Sequence, residues 1–109
     1  MRQGQVFMNG IFAGILSEME GGGFTFVYDD GYLKDPSLPA ISLTLPKKVR
    51  VYTSAYLFPF FANMLSEGAN RAVQAKLHRV DPDDDFGILL VTASVDTPGA
   101  VTVKRIDNE

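Results

Sequence analysis

The stretch Ala55–Val80, AYLFPFFANMLSEGANRAVQAKLHRV, decides how the rest of the 109-residue chain is arranged. Four aromatic residues, Tyr56, Phe58, Phe60 and Phe61, crowd its first part. Leu57, Phe60, Phe61, Met64 and Leu65 follow the i, i+3, i+4, i+7, i+8 spacing of one helical face. Pro59 stands near the start of that helix, where a missing N–H costs little, and Ser54 is placed to cap it. Ser66, Glu67 and Gly68 then break the pattern, Gly68 in the manner of a C-cap. In the second helical pattern Ala69, Ala72, Val73 and Leu77 form the apolar stripe, with Arg71, Gln74, Lys76 and His78 around it. Two such helices need an apolar surface to lie on, and the flanking sequence reads as a sheet.

Upstream, Gln5–Phe7 opens a strand that Met8 continues. Asn9-Gly10 is a strong hairpin signal, because both central positions of a type I′ turn need positive φ. Ile11–Leu16 returns as the second strand. Gly21-Gly22-Gly23 lacks the Lys-Ser/Thr or GxGxxG context of a phosphate loop and reads as a flexible turn. Phe24–Tyr28 alternates as a strand does, with Phe24, Phe26 and Tyr28 on one face. Asp29-Asp30-Gly31 ends it, and Tyr32–Lys34 suits a single helical turn. Ile41, Leu43 and Leu45 alternate with Ser42 and Thr44, which predicts a half-buried strand stopped by Pro46. Lys47, Lys48 and Arg50 are the basic cluster and read as a solvated loop, with contact to an acidic partner as the alternative. Val51–Ser54 leads into the central stretch.

Downstream, Asp81, Asp83 and Asp85 mimic the first ligands of a calcium loop, but Phe86 stands where its glycine is required and Thr92 where its glutamate is. The run reads instead as a helix start: Asp81 caps, Pro82 takes the first position, and the acids meet the positive end of the dipole. The third helix is expected over Asp83–Ala93, with Phe86, Leu89 and Leu90 inward. Thr97-Pro98-Gly99 turns the chain, and Ala100–Ile106 is the last strand. The pattern predicts an α+β fold: a small antiparallel or mixed sheet of about five strands packed against two or three helices, one domain over residues 1–109.

Composition narrows the function classes. Apolar residues make up 46% and charged residues 21%, ordinary values for a globular chain of this length. The net charge of −3 offers no basic footprint for nucleic acid. No apolar run reaches the roughly 20 residues that span a bilayer, and the start lacks a signal-peptide pattern, so a cytoplasmic protein is expected. Cysteine is absent and His78 is the single histidine, which removes thiol chemistry and leaves no nucleophile with an evident base. The residues point to no catalytic site, no metal site and no cofactor.

Three segments, in order, resemble the N-terminal subdomain of HipA-type serine/threonine kinases: VFMNGIFAGILSE at Val6–Glu18, ISLTLP at Ile41–Pro46, and FFANMLSEGANR at Phe60–Arg71, which continues through Val80–Val103. The resemblance covers roughly Gln5–Ile106. In that family the module precedes a large kinase domain, of which this chain, read to Glu109, carries no nucleotide-binding or catalytic residue. By analogy it resembles the separately encoded arrangement of three-gene toxin–antitoxin systems. There a small HipS-like protein binds and neutralises a HipA-like kinase, and a HipB-like helix-turn-helix protein is the third component. The resemblance implies a binding protein that restrains the kinase, touching neither nucleic acid nor membrane directly. A dimerisation or scaffold module without inhibition, such as a homodimer, is the alternative.

The implied partner-binding residues are Ser66, Glu67, Gly68, Ala69 and Arg71, with Tyr56 and Phe58 as exposed neighbours. Glu67 and Arg71 are expected to offer charges across the interface. One departure stands out. Family members commonly read LLPEG followed by a large residue, often tryptophan, whereas this chain has Met64-Leu65-Ser66-Glu67-Gly68-Ala69. Alanine cannot fill a partner's pocket as tryptophan does.

Overall fold

Asn9 and Gly10 both take positive φ, 51° and 81°, in the computed structural model, and join strands β1 (Gln3–Met8) and β2 (Ile11–Glu18) into the expected tight hairpin. The structure describes residues 2–65, 68–93 and 100–106. Register slips by one residue between Val6 and Phe7, because Ala13 is the extra residue of a bulge. The bulge has a use: the Ala13 carbonyl accepts the Asp29 N–H at 2.7 Å, which fixes where the chain leaves the sheet. Strand β3 (Phe24–Tyr28) pairs with β2 after a Gly21–Gly23 turn at positive φ. Helix α1 (Asp30–Lys34) follows, and the Asp29 side chain accepts the Tyr32 N–H at its start.

The sheet has five strands in the order β4-β3-β2-β1-β5, all antiparallel, with β4 (Val51–Ser54) and β5 (Val101–Arg105) at its edges. The fourth strand is therefore Val51–Ser54, and not Ile41–Leu45 as the alternation predicted. Residues 41–45 form turns instead. Ile41 and Leu45 are buried, while Leu43 is 99% exposed. The Tyr28 hydroxyl takes the place of a ladder partner there: it accepts the Ile41 N–H at 3.2 Å and donates to the Leu45 carbonyl. Burial raises the Tyr28 phenol above its ordinary pKa, although the Ile41 amide pulls it the other way. The same loop is tied by Tyr32 Oη to the Pro39 carbonyl, 2.6 Å, and by Lys47 Nζ to the carbonyls of Asp35 and Leu38, 2.6 and 2.8 Å. Of the basic cluster, Lys47 is thus occupied within the fold, and Arg50 Nε reaches the Tyr28 carbonyl at 3.3 Å.

Helices α2 (Pro59–Ala62), α3 (Gly68–His78) and α4 (Asp85–Thr92) follow. The long first helix predicted from Ser54 contracts to one turn whose N-cap is Phe58, with Pro59 in the first position. Ser54 belongs to β4. Val6, Leu16, Phe26 and Tyr28 from the sheet close on Phe61, Phe86, Leu89 and Leu90 to make the core. Helix α4 buries five successive residues, Phe86–Leu90, and packs against both β5 and α3. Phe86, Leu89 and Leu90 point inward as expected, and Ile88 joins them because both sides of the helix are covered.

Asp84, and not Asp81, caps α4, accepting the Gly87 N–H at 3.1 Å. A Cβ at Gly87 would collide with that carboxylate, so the cap depends on glycine. Asp84 has a second task. Arg2 grips it through two bonds of 2.7 and 3.0 Å, and grips Glu18 through two more of 2.9 and 2.8 Å. The start of the chain is thereby clamped to the start of α4. Hydrogen bonding from Arg2 holds the Asp84 carboxyl below the usual carboxylate range, against the opposing effect of burial. A carboxyl depressed by folding adds stability above its unfolded pKa, about 3.9, and loses it as pH falls through the folded value. Arg2→Ala should therefore cost about 1–2 kcal/mol at pH 7, discounted because about a third of the side chain stays open to solvent. The gap between variant and wild type should close below about pH 4. Urea midpoints at pH 7 and pH 3 measure both, and a pH-independent gap would remove the carboxylates from the explanation.

Candidate partner-binding surface

The chain leaves β4 at Ser54, whose hydroxyl accepts the Tyr56 N–H at 3.2 Å. That turn throws the Tyr56 ring outward, 79% exposed. Phe58 does not accompany it. At 7% exposure it is a core residue, stacked edge-on against Phe61 at 6.3 Å, which corrects its expected place beside Tyr56 on the surface. Its ring belongs to the cluster that Phe61 forms with the sheet. Phe61 is the hub, with Phe26, Phe58 and Phe60 centroids at 6.0, 6.3 and 5.2 Å.

Ser66 and Glu67 lie outside the described residues. Gly68 begins α3, and Ala69 lies in its first turn. Arg71 is spoken for: its Nε donates to the Pro82 carbonyl at 2.8 Å, and its guanidinium pairs with Asp85. The charge expected to reach a partner instead ties α3 to the acidic turn before α4.

The facing of α3 also differs from the expected one. The expected inward stripe of Val73 and Leu77 is turned to solvent, 56% and 74% exposed, and Ala72 is exposed with them. Ala75 is buried instead, with Arg71 and Gln74 half-buried beside it. These three share the i, i+3, i+4 relation, so the helical period was right and its orientation was not. The small Ala75 side chain allows close approach to α4. Gln74 Oε1 is buried without a hydrogen-bond partner among the described residues. Helix α3 ends at Arg79, in the left-handed region at φ 56°, with the Val80 N–H returning to the Ala75 carbonyl at 2.9 Å.

Two apolar areas thus face outward near the central stretch, Tyr56 on one side and Val73 with Leu77 on the other. Beside Tyr56 a groove of about 320 Å³ runs between Phe24, Leu57 and Phe86, with Glu18, Asp83, Asp84 and Asp85 around it. Sequence reasoning assigned those aspartates to a helix start and missed the groove. The signal was the density of carboxylates, more than one cap uses. Among the described residues no group of acidic or histidine side chains is arranged to hold a metal ion, and no helix is long and apolar enough to cross a membrane.

Comparison with known proteins gives this surface a context. The family model of the HipA N-terminal domain matches residues 4–104. A Haemophilus influenzae protein without an assigned role is 37% identical over 90 residues, which cover 83% of this chain and 80% of the relative. Two Sinorhizobium fredii proteins provisionally named as kinases, Y4mE and Y4dM, are 30% and 35% identical over 95% and 81% of this chain. The chain spans only about a quarter of their length, 24% and 23%. A solved structure titled as the N-terminal domain of HipA toxin superposes with a TM-score of 0.75 at 29% identity, over 100% of this chain and 96% of that one.

Proposed function

The chain belongs to the HipA N-terminal domain family, and from that premise we propose that it is a non-catalytic binding subunit which associates with a HipA-like kinase chain and restrains it. The observation that carries the reading is the pairing of relatives. The same module makes up about a quarter of two kinase-named chains, and it is matched over 80% of the Haemophilus protein. A module found both within longer chains and at nearly its own length in another relative suits docking onto the rest of such a longer chain. Its outward Tyr56, Val73 and Leu77 offer apolar area for such a contact. The role is carried by binding in the cytoplasm, alongside a HipB-like DNA-binding protein as third component, with the whole chain acting as one domain.

Contact through Ser66, Glu67, Gly68 and Ala69 is part of the proposal, with Tyr56 as a further contact. Since Arg71 is paired with Asp85, it contributes by holding α3 in place. A scaffold or dimer role is the second reading, favoured by the open edge of β4, where Val51 is 53% exposed. Co-expression with a HipA-like kinase, affinity purification and a growth assay separate the two. Co-purification with relief of toxicity is the expected result. Co-purification without relief supports a scaffold and points to Ala69 as the reason. A lack of association overturns the partner reading.

A further inference from the structure

We propose that the groove beside Tyr56 receives an arginine side chain of the protein partner, a proposal that rests on the partner reading above and adds the chemistry of the contact. At about 320 Å³ the groove is at the small end for ligand sites, which run from about 300 to 1,000 Å³, and it suits one long side chain. Its lining is partly aromatic: Phe24 and the buried Phe86 meet edge-to-face at 5.5 Å, and the exposed Tyr56 ring lines it with them.

Its mouth is acidic beyond what the fold neutralises. Arg2 sets one positive charge against both Glu18 and Asp84, and Arg71 pairs with Asp85. Asp83 has no side-chain ion pair among the described residues and is exposed at the opening. Four carboxylates against two guanidinium groups leave the groove's lining negative, and the exposed Tyr56 ring offers a face to a cation.

The chain itself shows what such surroundings hold. Its own Arg2 guanidinium lies 5.5 Å from the Phe86 ring centroid, forked by two carboxylates. Asp83 and Tyr56 bring a further carboxylate and a further ring to the lining of the same groove. A guanidinium suits this better than an ammonium, because its plane stacks on a ring while its edge meets a carboxylate.

Two measurements decide it. In the first, labelled protein is titrated with N-acetyl-arginine amide and, separately, with the uncharged citrulline counterpart, and followed by NMR. Shifts at Phe24, Tyr56 and Phe86 with arginine alone are expected. No shift, or equal shifts with citrulline, overturns the proposal. In the second, calorimetry compares kinase binding by the wild type and by Tyr56→Ala, Asp83→Asn and Ala55→Arg, all at exposed positions and expected to melt as the wild type does. Tyr56→Ala should weaken binding about tenfold and Asp83→Asn about threefold. Ala55→Arg, which places the chain's own guanidinium at the groove, should weaken it at least as much as Tyr56→Ala. Wild-type affinity in all three variants overturns the groove while leaving the partner reading intact. If the wild type binds no kinase, the partner reading fails, and this proposal, which rests on it, fails as well.

Discussion

Phe61→Ala should remove about 3–5 kcal/mol of stability, the loss expected when a fully buried phenylalanine is truncated. Phe61 has no solvent exposure and touches three other rings, so alanine leaves a cavity that a one-turn helix cannot collapse to fill. Neighbouring Phe60 is only partly buried, and Phe60→Ala should cost clearly less. At roughly 4–8 °C per kcal/mol for a small domain, the melting point of Phe61→Ala should fall by more than about 10 °C. Thermal and urea unfolding measure this directly. A loss below about 1 kcal/mol would mean that α2 does not lie on the sheet as described.

Tyr28→Phe should cost about 2–4 kcal/mol, although it deletes a single oxygen. That oxygen serves two backbone groups, the Ile41 N–H and the Leu45 carbonyl, in a site closed to water. Removing it strands both, and each buried orphan costs about 1–3 kcal/mol. The damage should stay local, because Tyr32 and Lys47 still hold residues 35–39. Hydrogen exchange should show lost protection at Ile41, with the hairpin of β1 and β2 protected as before. Unchanged exchange at Ile41 would show that the loop is held by the burial of Ile41 and Leu45 alone.

These two residues also mark where sequence reading succeeded and where it stopped. Phe61 was legible, since its place in an i, i+3, i+4 pattern among aromatics identifies a core position. The Tyr28 bridge was not. Ile41, Leu43 and Leu45 alternate as a strand would, and nothing in a period of two tells a ladder partner from a tyrosine hydroxyl 13 residues away. The edge position was taken by Val51–Ser54, which reaches β3 in register with Val27 opposite Val51.

The candidate surface divides in the same way. The segment around residues 55–71 was singled out from sequence, and Tyr56 is indeed exposed there. Phe58 is not, because its ring packs on Phe61 in the core. Helix α3 has the predicted period but the opposite facing: Ala75, with Arg71 and Gln74, turns toward the fold, and Val73 and Leu77 turn outward. An amphipathic pattern states that a helix has two faces; long-range partners choose which one is buried.

By itself, then, the sequence determined what local chemistry dictates. That includes the Asn9-Gly10 hairpin, the strand Phe24–Tyr28, a last strand within Ala100–Ile106, the presence of helices after the sheet, most of the core, and a family resemblance that rests on ordered segments. Only the tertiary structure decided which edge strand completes the sheet, which aspartate caps α4, which face α3 turns outward, and that an acidic groove opens beside Tyr56. Those outcomes depend on contacts between residues far apart in the chain, such as Arg2 with Asp84, whose energies no local pattern encodes.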